Sequence, residues 1–160
     1  MKKSKTEQKS MEIIHALKRK KQTISFAESC TGGRIASAFT AISGASAVLN
    51  GSVVSYANEI KSKWLGVNEE TLIKHGAVSQ ECVQEMLDGI LKMASSDYAI
   101  AVSGIAGPTG GTAKKPVGTV YIGVASNDKK EVTKHHFTGS RTDIQAQATL
   151  RAIELLQNFL

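Results

Sequence analysis

From Ile35 to Asn58 the chain carries no charged side chain, and a run of that length admits either a membrane span or a segment buried in a globular core. Hydroxyls and glycines decide between them. Ser37, Ser43, Gly44, Asn50, Gly51 and Ser55 break the run, so it reads as helix, turn and strand inside an α/β domain.

The rest of the composition agrees with one such domain. A chain of 160 residues with 41% hydrophobic and 21% charged positions is long enough to bury a core and is not disordered. The formal charge of +6 invites a nucleic-acid reading, but residues 1–21 hold 8 of the 20 Lys and Arg and 2 of the 14 Asp and Glu. The body is therefore neutral, and a nucleic-acid partner is not expected. Cys30 and Cys82 are isolated, which excludes a disulfide framework and a zinc site. The start of the chain lacks the apolar core of a secretory signal, so a cytoplasmic protein without a membrane partner is expected. Residues 1–160 read as a single domain, with 1–10 as a flexible basic tail.

Periodicity places the elements. Met11, Ile14 and Leu17 recur at helical spacing over 6–20, and a short strand follows at 23–27. The turn Glu28-Ser29-Cys30-Thr31-Gly32-Gly33 opens a helix of small residues over 32–42. A valine-rich strand covers 49–56, and Gly66 stops a short helix that begins at Asn58. Ser79 caps a helix with Val83, Met86, Leu87, Ile90 and Leu91 on one side. A buried strand at 98–103 runs into a glycine-rich loop over 104–116. Two strands, 117–125 and 131–137, form a hairpin, and a helix capped by Thr142 or Asp143 closes the chain. Early alternation and a late hairpin predict a three-layer α/β/α sandwich around a mixed central sheet.

Chemistry concentrates in three places. Ser29, Cys30 and Thr31 stand at a strand-to-helix turn, where the carboxyl end of a strand meets free helix amides. Any of the three can serve as a nucleophile, and intrinsic reactivity favours Cys30. No Ser-His-Asp set is visible among His15, His75, His135 and His136, which leaves lysine or carboxylate as the base. Tyr56, Asn58, Glu59 and Lys61 cluster after the second strand. The loop holding Gly104, Gly107, Gly110, Gly111 and Thr112, followed by Lys114 and Lys115, lets backbone amides approach a ligand, although it is neither Walker A nor GxGxxG.

Five segments carry a resemblance: Ala27-Glu28-Ser29-Cys30-Thr31-Gly32-Gly33, Tyr56-Ala57-Asn58-Glu59-Ile60-Lys61, His75-Gly76-Ala77-Val78-Ser79, Ser103-Gly104-Ile105-Ala106-Gly107-Pro108 and Lys115-Pro116-Val117-Gly118-Thr119-Val120. In order and over nearly the whole chain, they resemble the CinA carboxy-terminal domain family, whose enzymatic members are nicotinamide-nucleotide amidohydrolases. The resemblance implies a stand-alone deamidase that converts nicotinamide mononucleotide (NMN) to nicotinate mononucleotide and ammonia. It makes Ser29 the nucleophile, Lys61 its base and Tyr56 a hydrogen-bonding partner of the pair. Backbone amides near Cys30, Thr31, Gly32 and Gly33 would hold the oxyanion. Asn58, Arg141, Lys115 and the amides of Gly104, Gly107, Gly110, Gly111 and Thr112 would bind substrate, with Arg141 on its phosphate. No cofactor or metal is implied, and a homo-oligomer is expected. Two positions depart from the family pattern: Gly51-Ser52 replaces paired glycines, and Gln145 stands where a second arginine is usual. The alternative function class is a nucleotide-binding regulatory protein, associated with competence or damage, that releases no ammonia.

Overall fold

A computed structural model describes all 160 residues. Helix α1 (Lys5–Lys20) leads into β1 (Ile24–Glu28), α2 (Arg34–Thr40), a 3-10 turn (Ala45–Ala47) and β2 (Leu49–Val54). Helices α3 (Asn58–Leu65), α4 (Glu69–Lys74) and α5 (Gln80–Ala94) precede β3 (Tyr98–Gly104), β4 (Thr119–Ser126), β5 (Lys130–His136) and α6 (Arg141–Phe159).

The predicted elements form, and so does the mixed sheet. Its strand order is β2-β1-β3-β4-β5, with β1 parallel to both β2 and β3, and β4 antiparallel to β3 and β5. Alternation along the strands sorts side chains between two cores. Phe26, Ile100 and Val102 join residues of α1, α2 and α6 on one face. Ala27, Ala99 and Ala101 face Cys82, Val83, Met86 and Leu87 of α5 on the other. Small alanines on that face let α5 sit close to the sheet.

Three details differ from the sequence expectation. Helix α1 begins at Lys5, where Ser4 and Glu7 form a capping box, and Ser10 is buried, so residues 4–10 belong to a capped helix and not to a flexible tail. The cap of α6 is Ser140, whose hydroxyl accepts from the Asp143 amide while the Asp143 carboxylate accepts from the Ser140 amide. Thr142 and Asp143 therefore lie inside the helix. Helix α4 was not anticipated; at six residues it has too few turns to show a period.

Topology positions the site. Chain direction reverses its lateral course after β2, so the carboxyl ends of β1 and β3 flank a switch-point crevice. The carboxyl ends of β2 and β5 open at the same end of the sheet, which delivers the starts of α3 and α6 to that crevice. Helix α3 is held there by a close approach: a Cβ on Gly89 of α5 would overlap the Leu65 carbonyl. Gly89→Ala should push α3 off α5 and cost about 1–3 kcal/mol. A urea midpoint equal to that of the parent protein would contradict this.

Candidate active site

A cavity of about 270 Å³ opens at the switch point, and Ser29, Cys30, Tyr56, Asn58, Lys61 and Arg141 line it together with residues of the loop after β3. The segments that follow β1, β2 and β3 thus meet, as the parallel pairing of β1 with β2 and β3 requires, and Ala77, Val78 and Arg141 join them from further along the chain.

Lys61 is the unusual residue. It is 1% exposed, yet it forms no ion pair, and its Nζ stands 3.2 Å from Ser29 Oγ while donating to the Tyr56 carbonyl at 2.9 Å. Burial lowers its pKa below the ordinary value of 10.5. Nearby Cys82 and Cys30 would oppose this only as thiolates, and burial pushes their thiols up to about 11 and about 12. At neutral pH both are uncharged. The lysine is therefore biased toward the neutral amine, with its donor held by a carbonyl and a lone pair available to the serine hydroxyl.

Cys30, favoured by intrinsic reactivity alone, is corrected by its environment. Its thiol belongs to the core between the sheet and α1, α2 and α6, and burial with the Glu28 carboxylate beside it disfavours the thiolate.

The turn's amides are used differently from the expectation. Glu28 is 0% exposed, and its Oε1 accepts from the Thr31 hydroxyl (2.7 Å), the Gly33 amide (3.2 Å) and the Ile35 amide (3.0 Å). Its Oε2 accepts from the Ala36 amide at 3.0 Å. The Gly32 amide donates to the Ser29 carbonyl. The Thr31 hydroxyl and the Gly32 and Gly33 amides are thus taken by the turn itself, and none of the three residues is part of the cavity lining. The amides of Cys30 and Thr31 meet no acceptor on another residue.

The glycine loop divides as well. Gly104, Gly107 and Gly110 line the cavity, and the amides of Ala106, Gly107, Thr109 and Gly110 have no protein acceptor. Gly107 and Gly110 have φ of 76° and 92°, a conformation that lets successive amides turn toward one side. Gly111, Thr112 and Lys115 lie outside the lining. Thr112 closes a turn with Lys115, and Lys115 Nζ donates to the His75 carbonyl, strapping this loop to the segment before α5.

Arg141 Nη1 donates to the Gly107 carbonyl at 2.6 Å and Nη2 to the Tyr56 hydroxyl at 3.0 Å. Tyr56 therefore meets Lys61 through its carbonyl and Arg141 through its side chain. No carboxylate pairs with Arg141 or lines the cavity, so the ionisable cations there are Lys61 and Arg141.

Ser103 was not singled out as a site residue. Register places it beside Ser29: Ala27 pairs with Ala101 and Glu28 with Val102, and the Ser29 amide donates to the Val102 carbonyl. It lines the cavity, and its hydroxyl makes no hydrogen bond to the protein. Its signal was available as the last polar residue of a buried strand parallel to the one that leads to Ser29. No cluster of three His, Cys, Asp or Glu side chains suited to a metal is present, and no helix is long and apolar enough to cross a membrane.

The fold and cavity define an α/β protein with a buried serine–lysine pair at a switch-point crevice. The CinA C-terminal domain model matches residues 6–160, and the chain belongs to that family. It is 56% identical over 140 residues to a CinA-like protein of Endomicrobium trichonymphae, covering 88% of this chain and 33% of that protein. A CinA-like protein of Thermotoga maritima is 46% identical over 148 residues, covering 92% of this chain and 36% of its own length. The chain thus spans about a third of these curated relatives. The competence damage-inducible protein A from Klebsiella pneumoniae superposes with a TM-score of 0.93 at 39% identity, covering 96% of this chain and 95% of that one. A CinA superfamily protein from Escherichia coli gives 0.94 at 30% identity, with 97% and 90% covered.

Iodoacetamide should leave both cysteines of the folded protein unmodified at pH 8 and alkylate both after unfolding in guanidinium. Intact mass reads the outcome, and a Cys30 adduct on the folded protein would reverse the assignment of the thiol as inert.

Proposed function

We propose that the chain is a nicotinamide-nucleotide amidohydrolase that converts NMN and water to nicotinate mononucleotide and ammonia, with Ser29 as nucleophile and Lys61 as general base. The observation that carries this reading is the 3.2 Å approach of Lys61 Nζ to Ser29 Oγ, with the amine buried and no carboxylate to keep it charged.

Neutral Lys61 takes the Ser29 proton as Oγ bonds to the carboxamide carbon, and the carbonyl electron pair moves to oxygen. The Cys30 and Thr31 amides are the donors left in the turn for that oxyanion. Collapse restores the carbonyl and breaks the C–N bond, and the Lys61 ammonium gives its proton to the leaving nitrogen, which departs as ammonia. A water then transfers a proton to Lys61 and attacks the acyl carbon. Ser29 recovers a proton from Lys61 as the acid is released.

The remaining lining suits the rest of the substrate. Arg141 keeps unused guanidinium N–H groups beside the four free loop amides, a combination suited to a phosphate. Ser103 and Asn58 offer polar contacts near the reacting end. Tyr56 is the aromatic residue in the lining and is in place to stack on the cationic pyridinium, whereas Trp64 lies outside it.

Incubation with NMN should yield ammonia and the acid product. Ser29→Ala and Lys61→Met should each lower kcat at least about a thousandfold while the protein stays folded. Because the Lys61 pKa is lowered and the active form is the neutral amine, kcat/KM should rise with pH through a midpoint below 10.5 and then level. NMN binding without ammonia release would favour the regulatory alternative, and a profile flat from mildly acid to alkaline pH would remove Lys61 as base.

A further inference from the structure

The turn that carries Ser29 has its carbonyls fixed one by one. Ser29 O accepts from the Gly32 amide at 3.0 Å, and Thr31 O accepts from the Arg34 amide at 3.0 Å and from Arg34 Nη1 at 3.1 Å. These bonds come from the same segment. Cys30 O is different: it is held from across the fold by Gln145 Nε2 of α6, at 3.0 Å. Gln145 is 7% exposed and stands one helical turn beyond Arg141, on the core-facing side of α6 with Ile144 and Ala148. A buried side-chain amide is costly unless bonded, and the Gln145 donor is used on this carbonyl.

That bond sets more than a carbonyl. The Cys30–Thr31 peptide is trans, so its C=O and N–H point in opposite senses. With the carbonyl drawn toward α6, the Thr31 N–H is directed to the other side of the sheet. Lys61 and the Ala27–Ala101 face lie on that side. Thr31 N–H is also one of the two amides of the turn with no acceptor on another residue.

The geometry points to Gln145 as a positioning residue: by holding the Cys30 carbonyl it aims the Thr31 amide at the oxygen that becomes negative when Ser29 attacks. This rests on the serine–lysine reading above and deepens it. Residue chemistry at position 145 is constrained accordingly. A carboxylate would present lone pairs to the Cys30 carbonyl, and a short side chain would not reach it. The neutral amide donates without disturbing the charge that Arg141 presents to the cavity.

The test replaces Gln145 by Met, which keeps length and removes the donor, and independently by Glu, which keeps shape and reverses the polarity. Both should lower kcat about tenfold or more with KM within about twofold, since a misaimed donor affects the transition state and not the bound substrate. Gln145→Lys, which restores an N–H donor of similar reach, should recover part of the kcat. A second readout needs no amide substrate: the rate at which a small fluorophosphonate labels Ser29, followed by intact mass, should fall in Gln145→Met in step with kcat.

An unchanged kcat in Gln145→Met, or a loss confined to KM, overturns the positioning role. If wild-type protein releases no ammonia from NMN but Ser29 is labelled, and Gln145→Met slows labelling, the substrate reading fails and the positioning role stands. Wild-type Ser29 that resists the label overturns both. Should Met at 145 prevent folding, the Glu variant decides by the same measurements.

Discussion

The Glu28 carboxylate is the junction on which the site depends. Taking a carboxylate fully out of water costs several kcal/mol unless its lone pairs are met, and here a hydroxyl and three amides meet them. These are charge-assisted bonds at the start of a helix, where an anion is already favoured. They bind the end of β1 to the first turn of α2, with Ser29 between the anchor and the helix. The same bonds occupy the α2 amides, so the substrate phosphate of the proposed reaction would have to be met elsewhere. Arg141 and the free amides of the loop after β3 are the groups left to meet it.

Charge in the cavity is arranged by separation. Lys61 is deprived of a carboxylate and of water, which drives it toward the neutral amine. Arg141 cannot lose its proton and is left without an acidic partner, so it stays a fixed cation. The buried amine is suited to proton transfer and the exposed guanidinium to holding a phosphate. A carboxylate placed between them would spoil both, by re-protonating the lysine and neutralising the arginine.

Much of this fold was legible in the sequence because apolar alternation and caps report directly on burial. Alternating small and large residues from Ile24 to Glu28 and from Tyr98 to Gly104 mark strands covered on both faces. The serine–lysine pair was reachable only through its family resemblance, since local sequence left Cys30 as the more reactive candidate. Burial decides against the thiol, and burial is a property of the assembled fold. The turn Thr31-Gly32-Gly33 misled for a similar reason. A glycine-rich turn looks the same whether its amides serve a ligand or the protein's own carboxylate, and nothing local to Glu28 says that its side chain folds back. Lys115 reads in the sequence as a substrate-binding cation, while the structure ties it to the His75 carbonyl. Its partner lies forty residues away, beyond any local pattern.

The two faces of the sheet divide the work at the end of β1. Glu28 follows Phe26 and turns toward the side of α2 and α6, where Gln145 also reaches the turn. Ser29 follows Ala27 and meets Lys61 on the side of α3 and α5, where Ser103, following Ala99 and Ala101, lies in the neighbouring register position. Since strand side chains alternate with a period of two, a slip of one residue would exchange these placements. The Glu28 carboxylate would then face the buried amine, and an ion pair formed there would hold Lys61 protonated and useless as a base. The helix amides would lose their acceptor in the same step. The order glutamate then serine at the end of this strand therefore serves stability and, on the proposed serine–lysine mechanism, chemistry as well, and the uncharged strand β2 beside it lets the lysine approach without a competing partner.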